Sequence, residues 1–188
     1  MTQALKSKSV VIKLNGQINN STINSLMNTV DNKMKEGMRE FMILISSHGG
    51  DTAAGLTGYN YLKGVPIKIT TFNIGTVSSI AVLLYCAGSR RISVPHANFL
   101  IHEPYWSFQQ SNLDEGEIDE TLKRLTVYKQ NIANVIAANT GKSVLEVLSI
   151  MHQRTTFTPD EAMTWGLAHE INSELFEEDS EIISIIKE

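Results

Sequence analysis

The sequence predicts an α/β fold built on a mostly parallel sheet. Three observations carry that prediction. Apolar, strand-like runs alternate with stretches of helical periodicity. The run Phe41-Met42-Ile43-Leu44-Ile45 is continuously apolar, as expected of a strand buried on both faces. The 188 residues contain no linker, internal repeat or low-complexity segment, which fits one domain with a sizeable core.

Val10 to Leu14 reads as the first strand, stopped by Asn15-Gly16. Ile23, Leu26, Met27, Val30 and Met34 then recur at helical spacing, with N-cap candidates at Asn19 to Ser21. The strand Phe41–Ile45 runs into His48-Gly49-Gly50, and Asp51 or Thr52 can cap a helix through Leu62. Ile67 to Phe72 is the next strand. The turn Gly75-Thr76-Val77-Ser78-Ser79-Ile80 follows, then an apolar helix from Ser79 to about Ala87. Arg91–Val94 and Ala97–Ile101 are short strands, the second delivering His102. Residues 103–112 form a loop in which Tyr105, Trp106 and Phe108 can line a substrate groove or simply pack. A long helix covers about 113–138, with the stripe Ile118, Leu122, Leu125, Ile132 and Ile136. A helix from Ser143 to His152 follows the Gly141 stop. Thr158-Pro159-Asp160-Glu161 opens a short helix ending near Gly166, with Thr as N-cap, Pro at the first position and acids in the first turn. Ala168 to Ile171 is expected to be a last strand, and 174–188 an acidic, helical tail behind it.

Composition excludes several classes. A net charge of −4 argues against a general nucleic-acid binder. The single cysteine, Cys86, lies in an apolar run and reads as a buried small residue. No segment reaches the ~18 apolar residues of a membrane span, and Met1 to Ser9 is a polar tail without a signal core. The expectation is a cytoplasmic protein with no membrane partner. Without an export signal, the Asn20-Ser21-Thr22 sequon carries no meaning. His48, His96, His152 and His169 form no metal-spaced cluster, so no metal or other cofactor is expected. Gly141-Lys142-Ser143 resembles the end of a phosphate loop, but Ile136 stands where that loop needs glycine.

Chemistry concentrates at three strand ends. Ser79 follows a strand and a sharp turn at the start of a helix, where it can be a nucleophile; Ser78 or Ser79 can equally be an N-cap. The backbone N–H groups of Gly50 and Ile80 can together make a two-donor oxyanion hole. His102, 23 residues beyond Ser79, can return to the same sheet edge and act as its general base, or be structural. In parallel sheets, ligands sit at the carboxyl ends of strands.

Taken in order, Leu14-Asn15-Gly16-Gln17-Ile18, Ile45-Ser46-Ser47-His48-Gly49-Gly50, Gly75-Thr76-Val77-Ser78-Ser79, Leu100-Ile101-His102-Glu103-Pro104, Phe157 to Ala162 and Trp165-Gly166-Leu167 resemble ClpP, the proteolytic subunit of the Clp protease, over roughly residues 8–172. The glycine turn is similar to the family's S-P-G-G, with His48 in place of proline. The resemblance implies a ClpP/crotonase-like fold of stacked ββα units with a protruding handle helix at 113–138. It implies a serine endopeptidase acting on peptides or unfolded polypeptide, with Ser79 as nucleophile and His102 as base. It further implies homo-oligomeric stacked rings, usually of seven subunits, and an AAA+ unfoldase as possible partner.

Two features depart from the family. Its third triad member is an acid, but the matching position here is Arg154, or Thr155 with a one-residue gap. Glu103, Asp160 or Glu161 can substitute, or the site works as a Ser–His dyad, or it is weak. Only about nine residues precede the first strand, so the axial loops that engage the unfoldase are expected to be short or missing. The alternatives are an inactive ClpP-like assembly subunit, a crotonase-type acyl-CoA enzyme, and a prohead-type or signal-peptide-peptidase-like relative, the last without a membrane segment to support it.

Overall fold

A computed structural model describes residues 9–107 and 112–187. The polar tail as far as residue 8, and Phe108, lie outside the described residues. The chain forms β1 (Val10–Gly16), α1 (Asn20–Lys35), β2 (Glu40–Ser47), α2 (Thr52–Gly64), β3 (Lys68–Ser78), α3 (Ala81–Cys86), β4 (Arg90–Ser93), β5 (Asn98–Ile101), α4 (Glu115–Thr140), α5 (Val144–His152), β6 (Thr155–Phe157), α6 (Pro159–Trp165), β7 (Glu170–Ile171) and β8 (Glu181–Lys187). Among the described residues these strands make one sheet in the order β6-β5-β3-β2-β1-β8, with β4 on β3 and β7 on β4. Every pairing is parallel except β5 with β6.

Alternate strand residues face opposite sides. Val10, Ile12, Leu14, Ile43 and Ile45 enter the main core with α1, α2, α3 and the second half of α4. Val11, Leu44, Phe72 and Ile92 form a smaller cluster on the other face, packed against Leu175 from the segment after β7. The continuous apolar run of β2 is thereby explained: both faces are covered. The helix starts obey local chemistry. Asn19, Asp51, Ser143 and Thr158 each accept a hydrogen bond from a backbone N–H of the first turn. Gly141 and Gly166 close α4 and α6 in the left-handed conformation.

Three expectations need correction. The tail is not helical: residues 181–187 are strand β8, parallel to β1. The apolar positions 182, 183, 185 and 186 satisfy helical spacing as well as strand spacing; all four are β-branched isoleucines, and the edge of β1 is open to pair with them. Next, β3 does not stop at Phe72. It continues to Ser78 by changing neighbour, pairing with β4 at Thr70–Asn73 and with β5 at Thr76–Ser78. The irregularity opposite β2, between Ile45 and Ser47, absorbs the change. Finally, the last strand is shorter than expected, because Leu167 and Ala168 turn into the core and only Glu170–Ile171 pairs.

The long helix stands off the body over its first half. Its buried residues are Ile132, Ala133, Ile136 and Ala137, whereas Ile118 and Leu122 are 50% and 62% exposed. No described helix is long and apolar enough to cross a membrane.

Candidate active site

The change of partner along β3 builds the site. Asn73, wholly buried, fastens it: its Oδ1 accepts from the Gly75 N–H at 3.0 Å and its Nδ2 donates to the Asn98 carbonyl at 2.8 Å. Beyond this point β3 runs beside β5, and the Ser79 N–H donates to the Leu100 carbonyl at 2.8 Å. Leu100 is two residues from His102, so the serine turn and the histidine-bearing strand end share one edge.

Ser79 takes φ +57°, in the left-handed region. The N-cap alternative fails for both serines. The cap position of α3 is Ile80, with no side-chain cap bond, and the Ser78 Oγ is turned inward to Thr76 Oγ1 at 3.0 Å. Among the described residues, the Ser79 Oγ makes no hydrogen bond, and the residue is half-buried.

The glycine turn lies directly against it. A Cβ placed on Gly49 would fall 2.7 Å from the Ser79 Cβ, 2.9 Å from the Ser78 carbonyl oxygen and 3.3 Å from the Ile80 nitrogen. A Cβ on Gly50 would fall 2.1 Å from the Ile18 carbonyl oxygen, and this residue's φ is +150°. The turn is pinned by Ile18, whose N–H donates to the Gly49 carbonyl and whose carbonyl accepts from the Asp51 N–H. Both contacts bypass Gly50. Among the described residues, neither the Gly50 nor the Ile80 backbone N–H donates a hydrogen bond. His48 is exposed beside them.

His102 is half-buried, with Tyr105 stacked at 6.1 Å between ring centres. Its Nδ1 lies 2.6 Å from the Glu103 backbone carbonyl. A carbonyl oxygen only accepts, so Nδ1 carries the proton and Nε2 of the neutral ring is the free acceptor. No described carboxylate bonds to this imidazole. The Glu103 carboxylate points to Lys129 and His152, at 3.6 and 3.7 Å. Glu161 is committed to capping α6, and the hydrogen bonds from Thr158 hold its carboxyl below the usual range. Asp160 is exposed in the first turn of the same helix. Thr155 pairs with Ile101, and its hydroxyl donates to the Ile150 carbonyl. Arg154 is exposed, with φ +54°. The N–H groups of Arg154 and Glu103 both donate to the Met151 carbonyl, which ties the end of α5 to the histidine loop.

The Glu103 carbonyl and Asn73 escaped the sequence reading. A backbone oxygen has no residue-type signature. Asn73 did leave one, a buried polar residue shortly before Gly75. A cleft of about 910 Å³ lies elsewhere, between segment 172–180 and the outer face of β2, β3 and β4, and neither Ser79 nor His102 lines it.

The Clp protease family model matches residues 1–174. The chain is 30% identical, over 141 residues, to the ATP-dependent Clp protease proteolytic subunit 3 of Rhodococcus jostii (strain RHA1), covering 74% of this chain and 68% of that relative. Its fold is similar to that of a point mutant of ClpP1 from Listeria monocytogenes, with a TM-score of 0.77, 24% identity, and coverage of 89% of this chain and 92% of the other. The fold, the ordered motifs and the extent of the match agree: the chain belongs to the Clp protease family.

Proposed function

We propose that this chain is a serine endopeptidase of the Clp type, cleaving peptides or unfolded polypeptide with Ser79 and His102. One observation carries the reading. Two turns meet around a serine whose hydroxyl is uncommitted among the described residues, and each turn offers a backbone N–H with no partner among them. The Ser79 Oγ attacks the scissile carbonyl while Nε2 of His102 takes its proton. The N–H groups of Gly50 and Ile80 hold the oxyanion of the tetrahedral intermediate. The imidazolium then returns the proton to the leaving amine, and water cleaves the acyl-enzyme by the same steps.

The Glu103 carbonyl orients the imidazole in place of an acid. It fixes the tautomer that catalysis needs, but it brings no full negative charge to stabilise the imidazolium. Correct tautomer and charge together are worth up to ~10⁴-fold in a triad. The expected enzyme is a dyad with slow turnover. Homo-oligomeric stacked rings, joined through α4, are the assembly that family membership supports.

The missing acid also favours a second reading, an inactive subunit that serves assembly. A fluorophosphonate probe separates the two. Labelling of the folded parent that disappears in Ser79→Ala, with peptide hydrolysis falling about 10³-fold or more, supports the peptidase. A folded parent that takes no label, or a Ser79→Ala variant that cleaves as fast as the parent, overturns it.

A further inference from the structure

Strand β8 ends the sheet. Its inner side pairs with β1 at seven positions, from Val10↔Glu181 to Gly16↔Lys187. Its outer side has no strand beside it among the described residues. An open edge of this length is a template for another chain. The usual defences of an edge are absent from it. The strand holds no proline, and its two charged residues stand only at its ends. The family match stops at residue 174, so this strand lies beyond the part that the match covers.

The order of residues says what fits this edge. The strand reads Glu181-Ile182-Ile183-Ser184-Ile185-Ile186-Lys187. About Ser184 the apolar residues are the same in both directions, and the two ends carry opposite charge. We propose that β8 is a homotypic docking edge. A second copy of this chain lays its own β8 antiparallel along it, about a two-fold axis at Ser184, and the two sheets become one.

In that register each Glu181 faces Lys187 of the other copy, twice over. Ile182 faces Ile186, Ile183 faces Ile185, and Ser184 faces itself. Opposite charges and matched β-branched residues across an antiparallel pair are favourable. A parallel in-register pairing would set glutamate on glutamate and lysine on lysine. A slip by one residue breaks both opposite-charge contacts: it sets Glu181 against Ile186 or, in the other direction, Lys187 against Ile182. Glu181 remains available, since its side chain is 46% exposed while paired to Lys33 at 2.7 Å. The contact is isologous, so it closes at two copies through this edge. Seven strand residues bury less than the ~1,600 Å² of a standard interface, so the pair by itself depends on protein concentration.

Cysteine cross-linking of the full chain tests the register. Directly opposed strand residues have Cα atoms roughly 4.5–5.5 Å apart, within disulfide reach. Cys86, fully buried, does not interfere. Under mild oxidation Ser184→Cys is expected to give a disulfide-linked dimer with at least tenfold the yield of Ile182→Cys, whose counterpart in the second copy lies about 13 Å away along the strand. Adding Lys187→Glu to Ser184→Cys turns both end contacts into like-charge pairs and is expected to cut the yield roughly threefold or more. Equal yields at 184 and 182 mean unspecific association and overturn the proposal. So does no cross-link at either position, or a yield indifferent to Lys187→Glu.

Discussion

At the residue scale, the tightest constraint is the space beside Gly49. A methyl group there meets Ser79 and the Ser78 carbonyl, and its φ of +99° strains any other residue. Gly49→Ala is expected to destabilise the fold by about 1–3 kcal/mol. It should also push Ser79 out of line and reduce hydrolysis more than the loss of folded protein explains. Gly37→Ala is the control. Its φ of +91° is similar but nothing lies within 4 Å of its Cβ, so only the smaller conformational cost remains. Denaturant unfolding with peptide hydrolysis on both variants checks the contrast. The residues of the candidate site were legible in the sequence because their proposed chemistry belongs to residue types. A serine at a turn, paired glycines and a histidine at a strand end are visible as letters. The partner of His102 was not legible, because it is a backbone carbonyl that any residue could have supplied.

At the element scale, legibility followed the number of independent signals. Helix α6 has a capping threonine, a proline in its first turn, acids and a closing glycine, and its start and its glycine stop were both readable. For β8 the apolar spacing served two periods equally, and the deciding fact was the open edge of β1, which is tertiary. Burial along β8 now separates its two faces. Ile185 is 6% exposed and Ile182 is 43% exposed. Ile185→Ala is expected to cost about 2–4 kcal/mol, and Ile182→Ala less than about 1 kcal/mol. Urea midpoints of the two variants decide it. Equal, small effects would mean that β8 contributes little to the fold. The same limit explains β3. Its continuation beyond Phe72 depends on which strand lies beside it, and Asn73 holds the place where the neighbour changes.

At the scale of the whole molecule, the body and the projecting half of α4 differ in burial. The body is closed by buried contacts on both faces of the sheet. The exposed Ile118 and Leu122 contribute little to it. If α4 joins rings, Leu122→Glu should leave the unfolding free energy within about 0.5 kcal/mol of the parent and shift the assembly toward smaller species. Native mass spectrometry reads that shift directly. An unchanged mass distribution would remove α4 from the contact.

The backbone at Ser79 bears on how this chain can change over generations. A residue with a side chain held at φ +57° costs about 1 kcal/mol that glycine would not incur. Ser79→Gly is therefore expected to melt higher than Ser79→Ala, and if Ser79 is the nucleophile both are expected to be inert. A lineage that kept this subunit only as scaffolding would be drawn toward glycine at 79 by stability alone. Serine persists against that drift only while its hydroxyl is used. If Ser79 is the nucleophile, position 79 in related sequences would then register which copies still cut.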